Sequence, residues 1–422
     1  MKKLIALLLA MVMVIGLVAC GNNAPAADAP AADAPAANAP AADASGEKIS
    51  LKFYGKCIEY TSGPMMTDAM EAALADKYDI ESIQIDWANW DTVVRTGLAG
   101  NEPCDVYQIA SHSFTQYADM AEDLTPYLEA NPEFKAGFEG VLASHSVDGK
   151  VIALPWESNF TVVIGNKEAL EAAGVEIPEA WTYTEFMAAC ETIKEATGKY
   201  PFANATDLNR GDWLVRNALL SEYKSAGKTA DYAAGNISWD DQEVVNALTN
   251  VKALYDNDYM YPGAGAVTVK NDEVKAAFYQ GDVLMITEIA AGAAQTVAGI
   301  TDFTPVLIPF PSSGSEGAVL GSTNCLFIPA NSNNKDAAWE AIMTFLSEDI
   351  QGIHAAEGYI PANANVPLED PFVLDVIAQA STLTSEPAFS AERSDYNANS
   401  MTADLVLNGG VDTVIEYFLS LG

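Results

Sequence analysis

Residues Asp148 to Ile164 read DGKVIALPWESNFTVVI. Two strand-like runs, Val151 to Leu154 and Val162 to Ile164, flank Pro155-Trp156-Glu157. Outward from this stretch, short β-like runs alternate with helical patterns in both directions, which points to an α/β architecture. On the N-terminal side, strands are expected at Ile49 to Tyr54, Ile83 to Trp87 and Asp105 to Ile109, with helices at Pro64 to Lys77 and Trp90 to Leu98. On the C-terminal side, helices are expected at Lys167 to Ala173, Thr184 to Thr197, Trp213 to Ser221 and Asp240 to Tyr255. Asp240 and Glu243 have the spacing of a capping arrangement. A helix over Glu273 to Tyr279 leads into a strand at Val283 to Ile286, followed by strands at Val306 to Ile308 and Cys325 to Ile328. Helices at Lys335 to Leu346 and Val411 to Leu419 complete the pattern.

The first residues carry a different signal. Lys2 and Lys3 precede an apolar run from Leu4 to Val18 interrupted only by Gly16. That run is short for a membrane span and reads as the core of a signal peptide, residues 1–19. It ends in Leu17-Val18-Ala19-Cys20, which resembles the bacterial lipobox, where cleavage before the cysteine frees its amine and thiol for acylation. An ordinary secretory signal with an incidental cysteine is the alternative. Acyl chains on Cys20 would hold the protein at a membrane, since each buried CH₂ contributes about 0.8 kcal/mol. Residues 20–47 form a tether in which Ala24-Pro25-Ala26-Ala27-Asp28 recurs with small changes to Asp43. Without large apolar side chains it cannot offset the entropy of ordering, and its prolines keep it extended.

About 375 residues follow, enough for two domains. An apolar fraction of 50% suits a well-packed body. A net charge of −37 argues against nucleic-acid binding, which needs a basic footprint. Cys57, Cys104, Cys190 and Cys325 form no close pair and are expected as buried thiols, with one disulfide as the alternative.

Several segments resemble one family, the sugar-type extracellular solute-binding proteins of ABC importers, relatives of maltose-binding protein. Leu98 to Val106 is similar to the family's turn into its third strand, with Cys104 in place of the usual proline. Asp119 to Tyr127, Asp148 to Trp156, Val163 to Val175, Trp181 to Phe186, Phe278 to Met285, Asn333 to Trp339 and Gly358 to Ala362 each resemble a further family motif, in family order. The resemblance implies the two-lobe periplasmic-binding-protein fold, with a hinge and a ligand cleft between α/β lobes that close on the ligand. By analogy the first lobe holds 48–153 and 312–352, and the second holds 154–311 and 353–422. The implied function is a lipid-anchored substrate-binding protein that captures a sugar or oligosaccharide and delivers it to permease subunits; the alternatives are a binding protein for a non-sugar small solute such as a polyol or polyamine, a glycan-active enzyme or a surface adhesin. Its expected place is the outer face of the cell membrane, in a Gram-positive arrangement rather than a periplasm, as a monomer.

Sugar recognition asks for aromatic faces over pyranose C–H patches and for planar polar groups on the hydroxyls. Pro155 to Asn159 supplies both, making Trp156 and Glu157 candidates; the alternative is a Trp packed against the hinge with Glu157 solvated. Arg210, Asp212 and Trp213 form a second group, with Asp212 as cap of its own helix and Trp213 as core in the alternative reading. Glu59, Tyr60 and Ser111 follow the first and third strands, on the edge that faces the crevice in open α/β sheets. Glu288 follows the Val283 to Ile286 strand, where relatives often carry a Trp. Ile289-Ala290-Ala291-Gly292 supplies no aromatic there, which argues against a long oligosaccharide. Tyr396 occupies roughly the tail position of another stacking ring, and Asn324 and Tyr359 are further additions. No catalytic or phosphate-cradling motif appears, so no enzyme activity, cofactor or metal is expected. His354 and Glu357 read as a surface pair one helical turn apart.

Overall fold

The computed structural model describes residues 48–85, 89–100, 103–207, 210–314, 318–321, 323–381, 383–386 and 401–420. The signal segment, Cys20, the tether, Trp87 and Tyr396 lie outside the described residues, and so does the side chain of Ser111.

Among the described residues, nine strands build the two larger sheets. In the first, β1 (Ile49–Lys56) and β2 (Tyr78–Gln84) run parallel, with Ile49 opposite Tyr78 and Tyr54 opposite Ile83. β3 (Val106–Ala110) lies parallel to β1 on its other side. β4 (Leu154–Pro155) takes the far edge, and the late strand of residues Asn324–Phe327 runs antiparallel between β3 and β4. Every residue of β3 is buried, as a strand covered on both faces requires. The helices Ser62–Leu74, Lys335–Phe345 and Glu348–Ala356 pack on one another beside β1, and Phe53, Met66, Tyr107, Trp156, Phe327 and Phe345 share one core.

The second sheet contains β5 (Thr161–Asn166), β6 (Tyr200–Ala203), β7 (Val283–Ile289) and β8 (Pro305–Ile308) in the order β8-β5-β7-β6. β5 is antiparallel to β7 and β8, while β6 runs parallel to β7. Alternation along β5 sends Val163 into one core, with Phe186, Leu214 and Leu248, and Val162 and Ile164 into another, with Phe278 and Val376. Both faces are therefore covered by helices. The Asn324–Phe327 strand, β9, returns the chain to the first sheet.

Three segments connect the sheets and pair with one another. Trp156 N–H donates to Asn324 O at 2.9 Å, Ser158 N–H to Ile360 O at 2.8 Å, and Thr161 N–H to Leu320 O at 3.0 Å. Glu157 bridges Pro361 and Phe160 bridges Gly321. Asp148 to Ile164 thus contains the first crossing between the sheets.

Some elements differ from expectation. The second strand lies at Tyr78–Gln84, not Ile83 to Trp87, because β1 takes it up from Ile49 onward. The Gln242–Asp256 helix has no capping side chain at its start; Glu243 pairs with Lys228 at 2.7 Å instead. A complete capping box stands at Thr182 and Glu185, ahead of the Tyr183–Thr197 helix. Cys57, Cys104, Cys190 and Cys325 are free thiols, all buried except the half-buried Cys104.

Candidate functional site

The loop after β1 brings Tyr60 against the first crossing. Its hydroxyl donates to Glu157 Oε1 at 3.1 Å and accepts from Asn159 Nδ2 at 3.1 Å. Asn324, at the start of β9, donates its side-chain amide to the same Glu157 oxygen. Asn159 Oδ1 in turn accepts from Ala291 N–H at 3.3 Å, in the first turn of the Ala290–Ala298 helix that follows β7. One hydrogen-bonded chain therefore links the loop after β1 in the first sheet to the helix after β7 in the second.

Glu157 is 1% exposed, and its Oε2 has no hydrogen-bond partner. It faces His354 Nε2, also unpartnered, at 3.7 Å. Burial pushes the Glu157 carboxyl up to about 8, although the bonds from Tyr60 and Asn324 pull the other way. Burial also lowers the His354 imidazole to about 3. Burial therefore favours the neutral form of each group, a carboxylic acid facing a neutral ring rather than a salt bridge. His354 Nδ1 lies 2.8 Å from Ser62 Oγ. The surface pairing of His354 with Glu357 is thereby corrected: His354 is buried, and Glu357 accepts from Thr61 Oγ1 at 2.7 Å.

Trp156 shows no exposed surface. Its ring centre lies 4.9 Å from His354, 5.7 Å from Tyr60 and 5.8 Å from Phe345. Every approach is filled by another ring, so in this arrangement Trp156 is not an open stacking platform. It backs Tyr60, which is only partly buried and stands 5.0 Å from Tyr359. Half of the alternative reading is therefore seen, a packed Trp, and half is not, because Glu157 is buried rather than solvated.

The second candidate group turns inward. Glu288 is fully buried, with Arg210 Nη1 2.7 Å from Oε1 and Lys275 Nζ 2.8 Å from Oε2. Thr296 Oγ1 donates to Oε2 at 2.9 Å and Ile289 N–H to Oε1 at 2.9 Å. Burial works to raise this carboxyl, yet Arg210 and Lys275 hold it below the usual range. With both oxygens engaged, Glu288 is a structural anchor here and not a free acceptor. Arg210 also donates to Asn271 Oδ1 at 2.8 Å and lies 5.0 Å over the Trp213 ring, which is 7% exposed. Asp212 caps a distant helix instead of its own, accepting from Met401 N–H at 3.3 Å and Thr402 N–H at 2.9 Å. Burial raises its carboxyl in spite of those bonds. Glu59 is exposed beside Cys57.

The fold thus gathers Tyr60, Trp156 and Glu157 in one cluster and Arg210, Trp213 and Glu288 in another. Asn159 and His354 join the first cluster, and Lys275, Asn271 and Thr296 the second, without having been singled out for those places. Only Asn159 had a signal, its position inside the crossing. Among the described residues, no group of three or more His, Cys, Asp or Glu side chains is placed to hold a metal ion. No helix among them is long and apolar enough to cross a membrane.

Comparison with known proteins adds three findings. The sequence profile of the bacterial extracellular solute-binding protein family matches residues 66–380. An arabinooligosaccharide-binding protein of Halalkalibacterium halodurans is 25% identical over 164 residues, which cover 39% of this chain and 35% of that protein. The match thus spans about a third of that relative's length. Among solved structures, an ABC transporter solute-binding protein from Thermotoga lettingae bound with α-D-tagatose superposes with a TM-score of 0.72 at 16% identity, covering 89% of this chain and all of that one. An ABC substrate-binding protein from Listeria monocytogenes in complex with cycloalternan gives 0.68 at 18% identity, over 88% and 97% of the two chains. These likenesses carry the fold: α/β, in two lobes joined at a hinge with a cleft between them.

Proposed function

Because the chain belongs to the bacterial extracellular solute-binding protein family, we propose that it is the capture component of an ABC importer, binding a sugar or oligosaccharide between its lobes. Lipid anchoring through Cys20 and delivery to permease subunits belong to the same reading, which makes the protein a receptor and not an enzyme. The lobe boundaries that go with it are 48–153 with 312–352, and 154–311 with 353–422. The observation that carries the proposal is the chain from Tyr60 through Asn159 to Ala291 N–H, which joins the loop after β1 to the helix after β7 at the first crossing. A solute lodged beside it meets a tyrosine ring, an amide and backbone groups, the mixture that sugar hydroxyls and C–H faces use. Glu157, Asn324 and Trp156 hold Tyr60 in place from behind. Glu59, Ser111 and Tyr396 are kept as candidate contacts on sequence grounds.

The start of the Ala290–Ala298 helix favours a compact ligand. Ala290, Ala291 and Ala293 are buried small residues, and no aromatic ring follows Glu288. A small non-sugar solute such as a polyol or polyamine is the second reading this supports. Calorimetric titration of the full chain with mono- and oligosaccharides, polyols and polyamines separates the two. A sugar should bind, and Asn159→Ala should weaken it by roughly tenfold, the scale of one lost hydrogen bond with its partner left unpaired. Binding of a polyamine alone would overturn the carbohydrate assignment.

A further inference from the structure

Apart from both clusters, the helices Tyr183–Thr197, Trp213–Ser225 and Gln242–Asp256 meet the Pro311–Ser312 strand around a groove of about 800 Å³. It shares no lining residue with the Tyr60–Glu157 cluster or the Arg210–Glu288 cluster. Its size falls within the range of about 300–1,000 Å³ usual for ligand sites. Tyr183 is 4% exposed and lines this groove, and its hydroxyl has no hydrogen-bond partner among the described residues. Burial, and then the Glu222 charge beside it, raise that phenol, so it stays a donor at neutral pH.

Glu222, 9% exposed, is held by three neutral donors: Asn246 Nδ2 at 3.2 Å, Asn250 Nδ2 at 3.5 Å and Ser313 Oγ. A carboxylate has about four acceptor sites, so Glu222 retains capacity. Among the described residues, the lining contains no Lys or Arg. An anion would therefore meet Glu222 without a countercharge. An ammonium group could donate to Glu222 and to the Tyr183 oxygen, but it would leave the Tyr183 proton without an acceptor. A hydroxyl does both.

We propose that this groove is a second ligand site, which takes a neutral polyhydroxylated molecule, a sugar or a polyol. Tyr183 donates to one ligand hydroxyl and Glu222 accepts from another. Ser313, which fixes Glu222, lies on the segment returning from β8 to β9, so the occupant sits against one of the connections between the two sheets.

The test is titration of the full chain with maltose and with sorbitol, followed by saturation-transfer NMR, in wild type and in Tyr183→Phe, Thr249→Trp and Asn159→Ala. Tyr183→Phe removes only the hydroxyl, and Thr249→Trp fills the groove from an exposed helix position. The site predicts a saturable phase for at least one probe, weakened about three- to tenfold by Tyr183→Phe and abolished by Thr249→Trp. That phase should survive Asn159→Ala, which separates its fate from that of the cleft. Binding that ignores both groove variants, loss of the phase in Asn159→Ala, or no binding of either probe at millimolar concentration would each overturn the proposal.

Discussion

Glu157 holds a carboxyl group among Tyr60, Trp156 and His354, where ionisation is costly. Its pH dependence follows from that setting. The folded group titrates at about 8, against an ordinary 4.5, so between those values the folded state binds the extra proton. Its contribution is fully present below the ordinary value and is lost as pH rises, by up to about 1.4 kcal/mol per pH unit within that window. Glu157→Gln keeps the shape of the neutral acid and has no proton to lose. Thermal melts of the two proteins should therefore be similar near pH 5 and diverge in the variant's favour toward pH 8; parallel curves would mean that Glu157 is ionised in the fold. Arg210→Leu makes a different prediction. It leaves the buried Glu288 with Lys275 as its one remaining cation and should cost about 3–5 kcal/mol, read as a lower denaturant midpoint. At this scale the sequence was only partly legible. Trp156 and Glu157 stand out by type and position, but their burial depends on His354, nearly two hundred positions later. The Arg210–Glu288 pair likewise joins residues with no local signal of each other.

Elements follow from local pattern wherever a strand is central or a helix has its own cap. β5 and β7 are nearly continuous apolar runs, and both were readable. β2 was displaced because its placement is set by register against β1, a long-range choice. The helix at Met401–Leu407 was not visible in the sequence; its first N–H groups are satisfied by Asp212, on another element. Asp212→Ala should accordingly cost about 1–2 kcal/mol and raise amide exchange in residues 401–407 more than in the Trp213–Ser225 helix, where no Asp212 cap exists. Equal protection in wild type and variant would sink that assignment. Gly358 gives a second test at this scale. It has φ +81°, and a Cβ there would come within 2.6 Å of Ala294 Cβ. Gly358→Ala should lower the melting midpoint, since both the backbone conformation and the close approach of the Ala290–Ala298 helix resist a side chain.

For the whole molecule, two helix-covered sheets are joined by three mutually paired segments, a build that allows hinge rotation about those segments. The Tyr60–Asn159–Ala291 chain spans that joint and so belongs to neither lobe alone. A high negative charge favours solubility and weak repulsion from an anionic surface, and it leaves ligand choice to the cleft. The central claim is that a sugar stabilises this arrangement by binding between the lobes. The most direct test is the thermal unfolding midpoint of the full chain with and without candidate sugars, in wild type and Asn159→Ala. A cognate sugar at a hundredfold over its Kd should add about 2.7 kcal/mol to wild-type stability, a rise of several degrees, and much less to the variant at the same concentration. A midpoint that no sugar moves, or one that moves equally in both proteins, would contradict the account.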